Sequence, residues 1–579
     1  MRTTVLTFFL ILSISCFSSI SGQKNRNLKR VQSYCNPVNL SYRFCLDKPS
    51  RREAADPTVI LFKNEYYLFA SKSGGYWHSK NLLNWKLIET SDLPIEEYAP
   101  TAVVIKDTVY FMASGERSPI YKTGDPKSGK WEIVNSGFIY SVTDPDLFYD
   151  DDGRLYLYWG CSNKEPLYAI ELDLENNLQP MGKPKELFGA NIKEHGWEKP
   201  GDFNTIERTP WFEGSWMNKH NGKYYLQYAA PGTEFKGYAD GVYVSKNPFG
   251  PFIYQNSNPF SLKQGGFICG AGHGSTFKDK YGNYWHIATQ TISIKHMFER
   301  RLGIFPAGFD NDSVLYTQTA WGDYPQFMYN KKRNQLKNSF TGWMLLSYKK
   351  NASASSSIDS LPVSNSFDED IRTYWSAQTG DRGEWLKVDL GSKCRINALQ
   401  INFAEHGTNI LGRQPEIYYQ YTIDYSNDGL TWHLLIDKSK NKIDAPHDYI
   451  ELIHPVFARY IKLNNIHMPG GTFAVSDFRI FGKGNNLKSK RVDNFSVVRD
   501  SSDNRNATIH WGKDKNATGY LVHYSVDRNK LYNQLMIYEN NFVELHGLNT
   551  ASDYYFKVDS FNETGVTEGK QIRVAKANL

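Results

Sequence analysis

Residues 56–330 repeat one short pattern five times, and a fivefold repeat of strand signals leaves a chain few ways to fold. Each copy opens on a small or polar residue, runs into an apolar strand, turns at Asn, Asp or Gly, and returns as a Tyr-rich strand. The openings are Asp56-Pro-Thr-Val-Ile, Ala99-Pro-Thr-Ala-Val, Asp144-Pro-Asp-Leu-Phe, Glu213-Gly-Ser-Trp-Met and His273-Gly-Ser-Thr-Phe. Three copies place a glycine nine residues after the opening, at Gly153, Gly222 and Gly282, where a tight hairpin needs positive φ. Successive openings lie 43, 45, 69 and 60 residues apart, room for one four-stranded blade each, with loop insertions in the longer two. The chain therefore reads as all-β: a five-bladed β-propeller over residues 50–327 followed by two β-sandwich domains.

The innermost strand of each blade lines the central channel, so equivalent positions converge on one axis. Here they are Asp56, Ala99, Asp144, Glu213 and His273. A buried, unpaired charge costs several kcal/mol, so three acids in such a place point to chemistry rather than packing. Asp146, two residues along the strand, shares a face with Asp144 and rivals it; Asp150, Asp151 and Asp152 read as solvated turn acids. Paired carboxyl groups are the equipment of glycoside hydrolysis: one protonates the leaving oxygen, the other activates water or attacks the anomeric carbon. Carboxylates on different blades leave space for that water, which favours inversion. Trp77, with Tyr76 before it, and Trp211, beside Glu213, are candidate sugar platforms. The insertion over residues 189–210 reads as a pocket wall, which favours exo action.

These motifs resemble glycoside hydrolase family 43. The resemblance implies that Asp56 is the general base and Glu213 the general acid. Asp144, followed by Phe148-Tyr-Asp-Asp-Asp-Gly153, corresponds to the acid that tunes and orients the donor. His273 corresponds to an axial histidine that in many members helps bind calcium or another metal ion through waters. Arg301, in Arg301-Leu-Gly-Ile-Phe-Pro306, resembles an arginine near the donor and the sugar. No cofactor is required for the chemistry; calcium is expected, if anywhere, at the propeller axis or in the module that follows. The implied substrate is an oligo- or polysaccharide carrying arabinofuranosyl, xylosyl, galactosyl or galactofuranosyl residues. The competing reading is a glycan-binding propeller without turnover, which would have no use for a separated acid and base.

Residues 346–483 resemble a discoidin-type module, on Tyr374-Trp375, Glu384-Trp385, Tyr425-Ser-Asn-Asp-Gly429 and Phe478-Arg-Ile-Phe-Gly482. Residues 490–579 resemble a fibronectin type III domain, with Trp511 and Tyr554 in its core, and read as a spacer or docking module. A net charge of +6 without a basic stripe excludes nucleic acid as a partner. Residues 1–22 carry a charged start, an apolar run and small residues at its end, the pattern of an export signal rather than a membrane span. The chain is expected to be secreted or periplasmic, or a surface lipoprotein through Cys16. Six cysteines make no disulfide framework, although Cys35 and Cys45 could pair in an oxidising compartment.

Overall fold

The structure, a computed structural model, describes residues 31–334, 337 and 339–578. The expected export signal and Cys16 lie outside the described residues. Blade one comprises Thr58–Phe62, Glu65–Phe69, Tyr76–Ser79 and Trp85–Ile88; blade two Thr101–Ile105, Thr108–Met112, Ile120–Thr123 and Glu132–Asn135. Blade three comprises Asp146–Tyr149, Leu155–Trp159, Tyr168–Asp173 and Gln179–Glu186. Blade four runs through Glu213–His220, Lys223–Ala230, Ala239–Ser245 and Ile253–Tyr254, and blade five through Cys269–Lys278, Tyr284–Thr291, Arg300–Phe309 and Leu315–Thr317. The first strands touch in ring order, one to two and onward until five meets one, so the expected closed five-bladed ring is present. Gly153, Gly222 and Gly282 take φ of +86°, +72° and +81° at the expected hairpins.

Apolar layers fill the space between blades. Val59, Leu68 and Trp77 of blade one pack with Trp285, Leu302 and Ile304 of blade five. Trp77 is wholly enclosed there, and Tyr76 is equally buried against Phe69 and Trp131. The expectation that Trp77 is a sugar platform is therefore corrected: its ring is blade packing. Asp150 is likewise no solvated turn acid, being buried against Lys219 at 2.5 Å and Tyr224 at 2.6 Å.

The second module is a sandwich built on the long strands Trp385–Phe403, His447–His467 and Ala474–Lys483. The last is a pair of sheets, Phe495–Arg499, Ala507–Trp511 and Phe542–Leu545 in one, and five strands from Gly519–Ser525 to Arg573–Ala575 in the other. Trp511 lies in its core, and the Tyr554 hydroxyl accepts the Asn549 backbone N–H at 3.1 Å.

These modules are not insulated from the propeller. One apolar cluster contains Ala320 and Tyr324, Phe481 of the second module, and Leu521, Met536 and Phe561 of the third. Arg52, fully buried, pairs with Glu405 and, at 2.7 Å, with Asp444 of the second module, and Arg479, held by Glu369 within that module, donates back across the junction to Asp323 O. Removing one partner from a buried pair costs roughly 3–5 kcal/mol, so these contacts make the junctions part of the fold. The insertion at 189–210 serves the same purpose. Gly196 N–H donates to Leu548 O at 3.1 Å, and Arg505 reaches Glu207 at 2.9 Å, so much of the expected pocket wall is a docking surface for the third module. Cys35 sits at the junction with the second module, donating to Asp323 O and lying against Gln400 and Arg479, while Cys45 faces Glu53; both are free thiols, and the expected pairing is corrected.

Candidate active site

The converging positions share a backbone device. Asp56, Ala99, Asp144 and His273 have φ of +52°, +46°, +54° and +43°; in blade four the same conformation falls one residue later, at Gly214 with +70°. A side chain in this region costs on the order of 1–3 kcal/mol and persists only where its surroundings hold it. The holding is visible. Asp56 N–H donates to Thr289 Oγ1 at 2.8 Å, Ala99 N–H to Ser71 Oγ at 2.7 Å, and Asp144 N–H to Ser114 Oγ at 2.9 Å. In each case a hydroxyl near the end of the preceding blade's second strand catches the next blade's opening amide. Gly214, which pays no steric cost at positive φ, also has no room for a side chain: a Cβ there would stand 2.9 Å from His273 Cγ.

The openings meet at a cavity of about 290 Å³. Asp56, Asp144, Glu213 and His273 line it, together with Trp211, Tyr98, Cys161, Glu234, Phe298 and Arg300. Four of the expected site residues are thus brought together, and Trp211, 44% exposed, joins them as a lining ring.

Asp56 is a buried carboxylate wrapped in donors. Ser71 Oγ donates to Oδ2 at 2.6 Å, Arg300 Nη1 to Oδ1 at 3.2 Å, and His273 Nδ1 stands 3.3 Å from Oδ1. Burial alone would raise its pKa. The charges of Arg300 and His273, with the hydroxyls of Ser71 and Thr289, outweigh burial and hold the carboxyl below its ordinary value. Arg300 is fixed in turn by buried Glu53 at 2.7 Å.

Asp144 has poorer company. Gly214 N–H donates to Oδ2 at 3.3 Å and His273 Nδ1 lies 3.7 Å away. Burial therefore prevails, helped by the charges of Glu213 and Asp56 against that of His273, and the carboxyl is pushed up to about 7. Asp146 is no rival: it does not line the cavity, accepts Met217 N–H at 2.7 Å, and is pushed up to about 8 by burial. Glu213 is held at both oxygens, by Tyr238 OH at 2.5 Å on Oε1 and by Cys161 Sγ at 3.1 Å on Oε2. Burial opposes the charged form of His273, but Asp56, Asp144, Glu213 and Asp240 more than compensate, so its pKa is raised.

Arg301 is not in the site. Its Nε donates to His447 Nε2 at 2.8 Å and its Nη1 to Arg52 O at 2.7 Å, at the junction with the second module. Strand alternation sends adjacent arginines to opposite faces. Arg300 shares its face with Leu302 and Ile304, which pack on blade one, the blade of Asp56. That apolar alternation is the signal that could have chosen Arg300. Tyr238 and Cys161 had no such signal, since they lie just outside the strands Ala239–Ser245 and Leu155–Trp159, where no alternation applies.

Calcium wants about six to eight oxygen ligands. Among the described residues, one group of metal-type donors gathers, Asp144, Cys161 and Glu213, with ligand atoms within 4.8 Å of one another. A thiol takes one of its three places, both Glu213 oxygens are engaged, and His273 Nδ1 is turned to two aspartates. This set does not fit calcium.

A buried, ionised carboxylate facing a second, hydrogen-bonded carboxyl from another blade across a small pocket is the constellation of a glycoside hydrolase. Residues 49–314 match the family model described as "Glycosyl hydrolases family 43", and residues 351–476 match "F5/8 type C domain"; the propeller is a family 43 glycosyl hydrolase domain. A "Beta-xylosidase" of Xylanibacter ruminicola is 30% identical over 25% of this chain and 46% of its own length. A "Xylosidase/arabinosidase" of Bacteroides ovatus is 27% identical over 35% of this chain and 76% of its own. An "Arabinoxylan arabinofuranohydrolase" of Paenibacillus polymyxa is 31% identical over 50% of this chain and 51% of its own. The chain thus spans about half the length of the first and last of these relatives.

Proposed function

We propose that the chain is an inverting, exo-acting glycoside hydrolase that removes arabinofuranosyl residues, or xylosyl, galactosyl or galactofuranosyl residues, from polysaccharide side chains. Asp56 is the general base and Glu213 the general acid. The observation that carries this reading is the environment of Asp56. A general base must be ionised at working pH and must not be neutralised by a proton it cannot release. Arg300, His273, Ser71 and Thr289 together keep Asp56 ionised despite its burial.

In this mechanism Asp56 draws a proton from a water lying between it and the anomeric carbon. Glu213, oriented by Tyr238 and Cys161, gives its proton to the leaving oxygen as the glycosidic bond breaks. Asp144 is a positioning residue: Gly214 N–H links its carboxyl to the backbone beside Glu213. Names of the relatives favour pentose-bearing substrates, and export, as the N-terminal sequence suggests, would bring the enzyme to polysaccharide. The test is the anomer that appears first. Proton NMR of early product from nitrophenyl α-L-arabinofuranoside and β-D-xyloside is expected to show inverted configuration from whichever is cleaved. Net retention would require a covalent intermediate and would overturn the base assignment.

A further inference from the structure

The residue next to the pocket's cation faces the other way, and so does the residue next to that cation's anchor. In blade five Arg300 reaches the catalytic pocket and Arg301 the second module. In the segment before blade one Glu53 reaches Arg300, and Arg52 the second module. Two neighbouring stretches of backbone thus carry pocket residues on one side and junction residues on the other. Arg301 ties the two stretches together, since its Nη1 donates to Arg52 O at 2.7 Å and to Arg300 O at 2.9 Å. Arg300 Nη1 spans Asp56 Oδ1 at 3.2 Å and Thr233 Oγ1 at 3.3 Å, and where it stands depends on what holds Arg301.

What holds Arg301 is a neutral histidine of the second module. Arg301 Nε donates to His447 Nε2 at 2.8 Å. A guanidinium has donors only, so that ring nitrogen carries no proton. The ring proton is then on Nδ1, which donates to Asn402 Oδ1 at 2.8 Å. Burial, with the charges of Arg301 and Arg52 beside it, holds the His447 pKa well below its ordinary value and preserves this polarity at neutral pH. Asn402 is fixed in turn by donating from Nδ2 to Asp477 O at 3.3 Å. All three side chains are buried, and a buried guanidinium N–H that loses its acceptor moves to find another.

We propose that His447 is a positioning residue of the active site: by accepting from Arg301 it fixes the strand that carries Arg300, and so holds that guanidinium against Asp56. The second module then serves catalysis although none of its described residues lines the pocket. This rests on the reading of Asp56 as general base and deepens it. Asp56 faces Arg300, His273, Ser71 and Thr289, and shares the pocket with the acids Asp144, Glu213 and Glu234; the path from His447 enters this group at Arg300.

In the full chain, His447→Phe keeps a ring and removes both nitrogens. It is expected to lower kcat/KM near neutrality about fivefold and to move the acid limb to higher pH, a smaller version of what Arg300→Met does. His447→Gln, whose amide can accept from Arg301 and donate to Asn402, should restore most of both. The decisive measurement is the double variant: because His447 acts through Arg300, His447→Phe should move the limb no further once Arg300→Met is present. An unmoved limb in the single variant, or shifts that add in the double one, would overturn the proposal. NMR of isotope-labelled aspartate carboxyls, with the Asp56 signal identified by its loss in Asp56→Asn, reads the same titration without turnover. An Asp56 titration raised by His447→Phe beside an unmoved rate limb would sink the base assignment and leave the positioning role standing. If His447→Phe fails to fold, as its thermal transition would show, Asn402→Leu, which frees the ring at Nδ1, decides by the same readouts.

Discussion

Blades one and three open on the same dipeptide, Asp-Pro, with the aspartate in the same left-handed backbone conformation and its amide caught by a hydroxyl from the blade before. Both carboxyl groups are buried and both face His273. They nevertheless titrate in opposite directions. Asp56 receives a guanidinium from Arg300 and a hydroxyl from Ser71, and is held below its ordinary value. Asp144 receives one long amide contact and the field of two other acids, and is pushed up to about 7. Burial is common to both; the partner decides the sign. One repeated motif thus supplies two carboxyl groups of opposite tendency, and the difference is written in residues outside either motif.

The largest effect is expected from removing the charge that the site works hardest to keep. Asp56→Asn should lower kcat by about 10²–10⁴ across the whole pH range, the usual contribution of general acid–base help. Asparagine is nearly isosteric and can still accept from Ser71, so the thermal transition should remain cooperative. Wild-type rates in purified Asp56→Asn would mean that the two blades have been assigned the wrong way round.

A second variant makes blade one resemble blade three. Arg300→Met removes the guanidinium and leaves Asp56 with burial as the leading influence. Its pKa then rises, and since the proposed base must be ionised to act, the acid limb of kcat/KM is expected to move to higher pH. Near neutrality the rate should fall by on the order of 10- to 100-fold, and Arg300→Lys should restore part of both. A rate loss with an unmoved acid limb would reduce Arg300 to a scaffold residue.

The contrast also explains what could be read in advance. The repeat, its glycine turns and the register of Asp56, Asp144, Glu213 and His273 are local signals, and the structure places these residues as the alignment of repeats demands. Two kinds of information were missing. One was parity: Arg300 and Arg301 are adjacent, and only the face shared with Leu302 and Ile304 separates the pocket residue from the junction residue. The other was long-range closure. Trp77 reads as an exposed platform until Trp285 and Leu302, more than two hundred residues later, cover it. Cys35 and Cys45 read as a pair until the second module claims the surroundings of one of them, through Gln400 and Arg479. Docking of the later modules has no repeat and no period, and so left no mark in the pattern.

The smallest and most pH-dependent effect belongs to Asp144. Because its carboxyl keeps a proton up to about 7, asparagine at this position imitates the state that the enzyme already holds in acid. Asp144→Asn should therefore cost less than about tenfold in kcat/KM below pH 6. Above 7 the wild-type residue gains a negative charge beside Glu213, the proposed proton donor, whereas the variant cannot. The alkaline limb of the variant should accordingly move to lower pH, and the deficit should widen as pH rises. Stability supplies an independent readout. For an acid whose folded-state pKa is raised from 3.8 to about 7, the native state binds the extra proton between those values, so stability falls as pH climbs through that window. Asparagine abolishes that loss. The thermal midpoint of Asp144→Asn relative to wild type should be flat below pH 4 and should rise from there to about pH 7. A loss of rate as deep as that of Asp56→Asn at pH 5, together with a midpoint difference indifferent to pH, would show that Asp144 is ionised in the working enzyme and that the two blades are electrostatically alike.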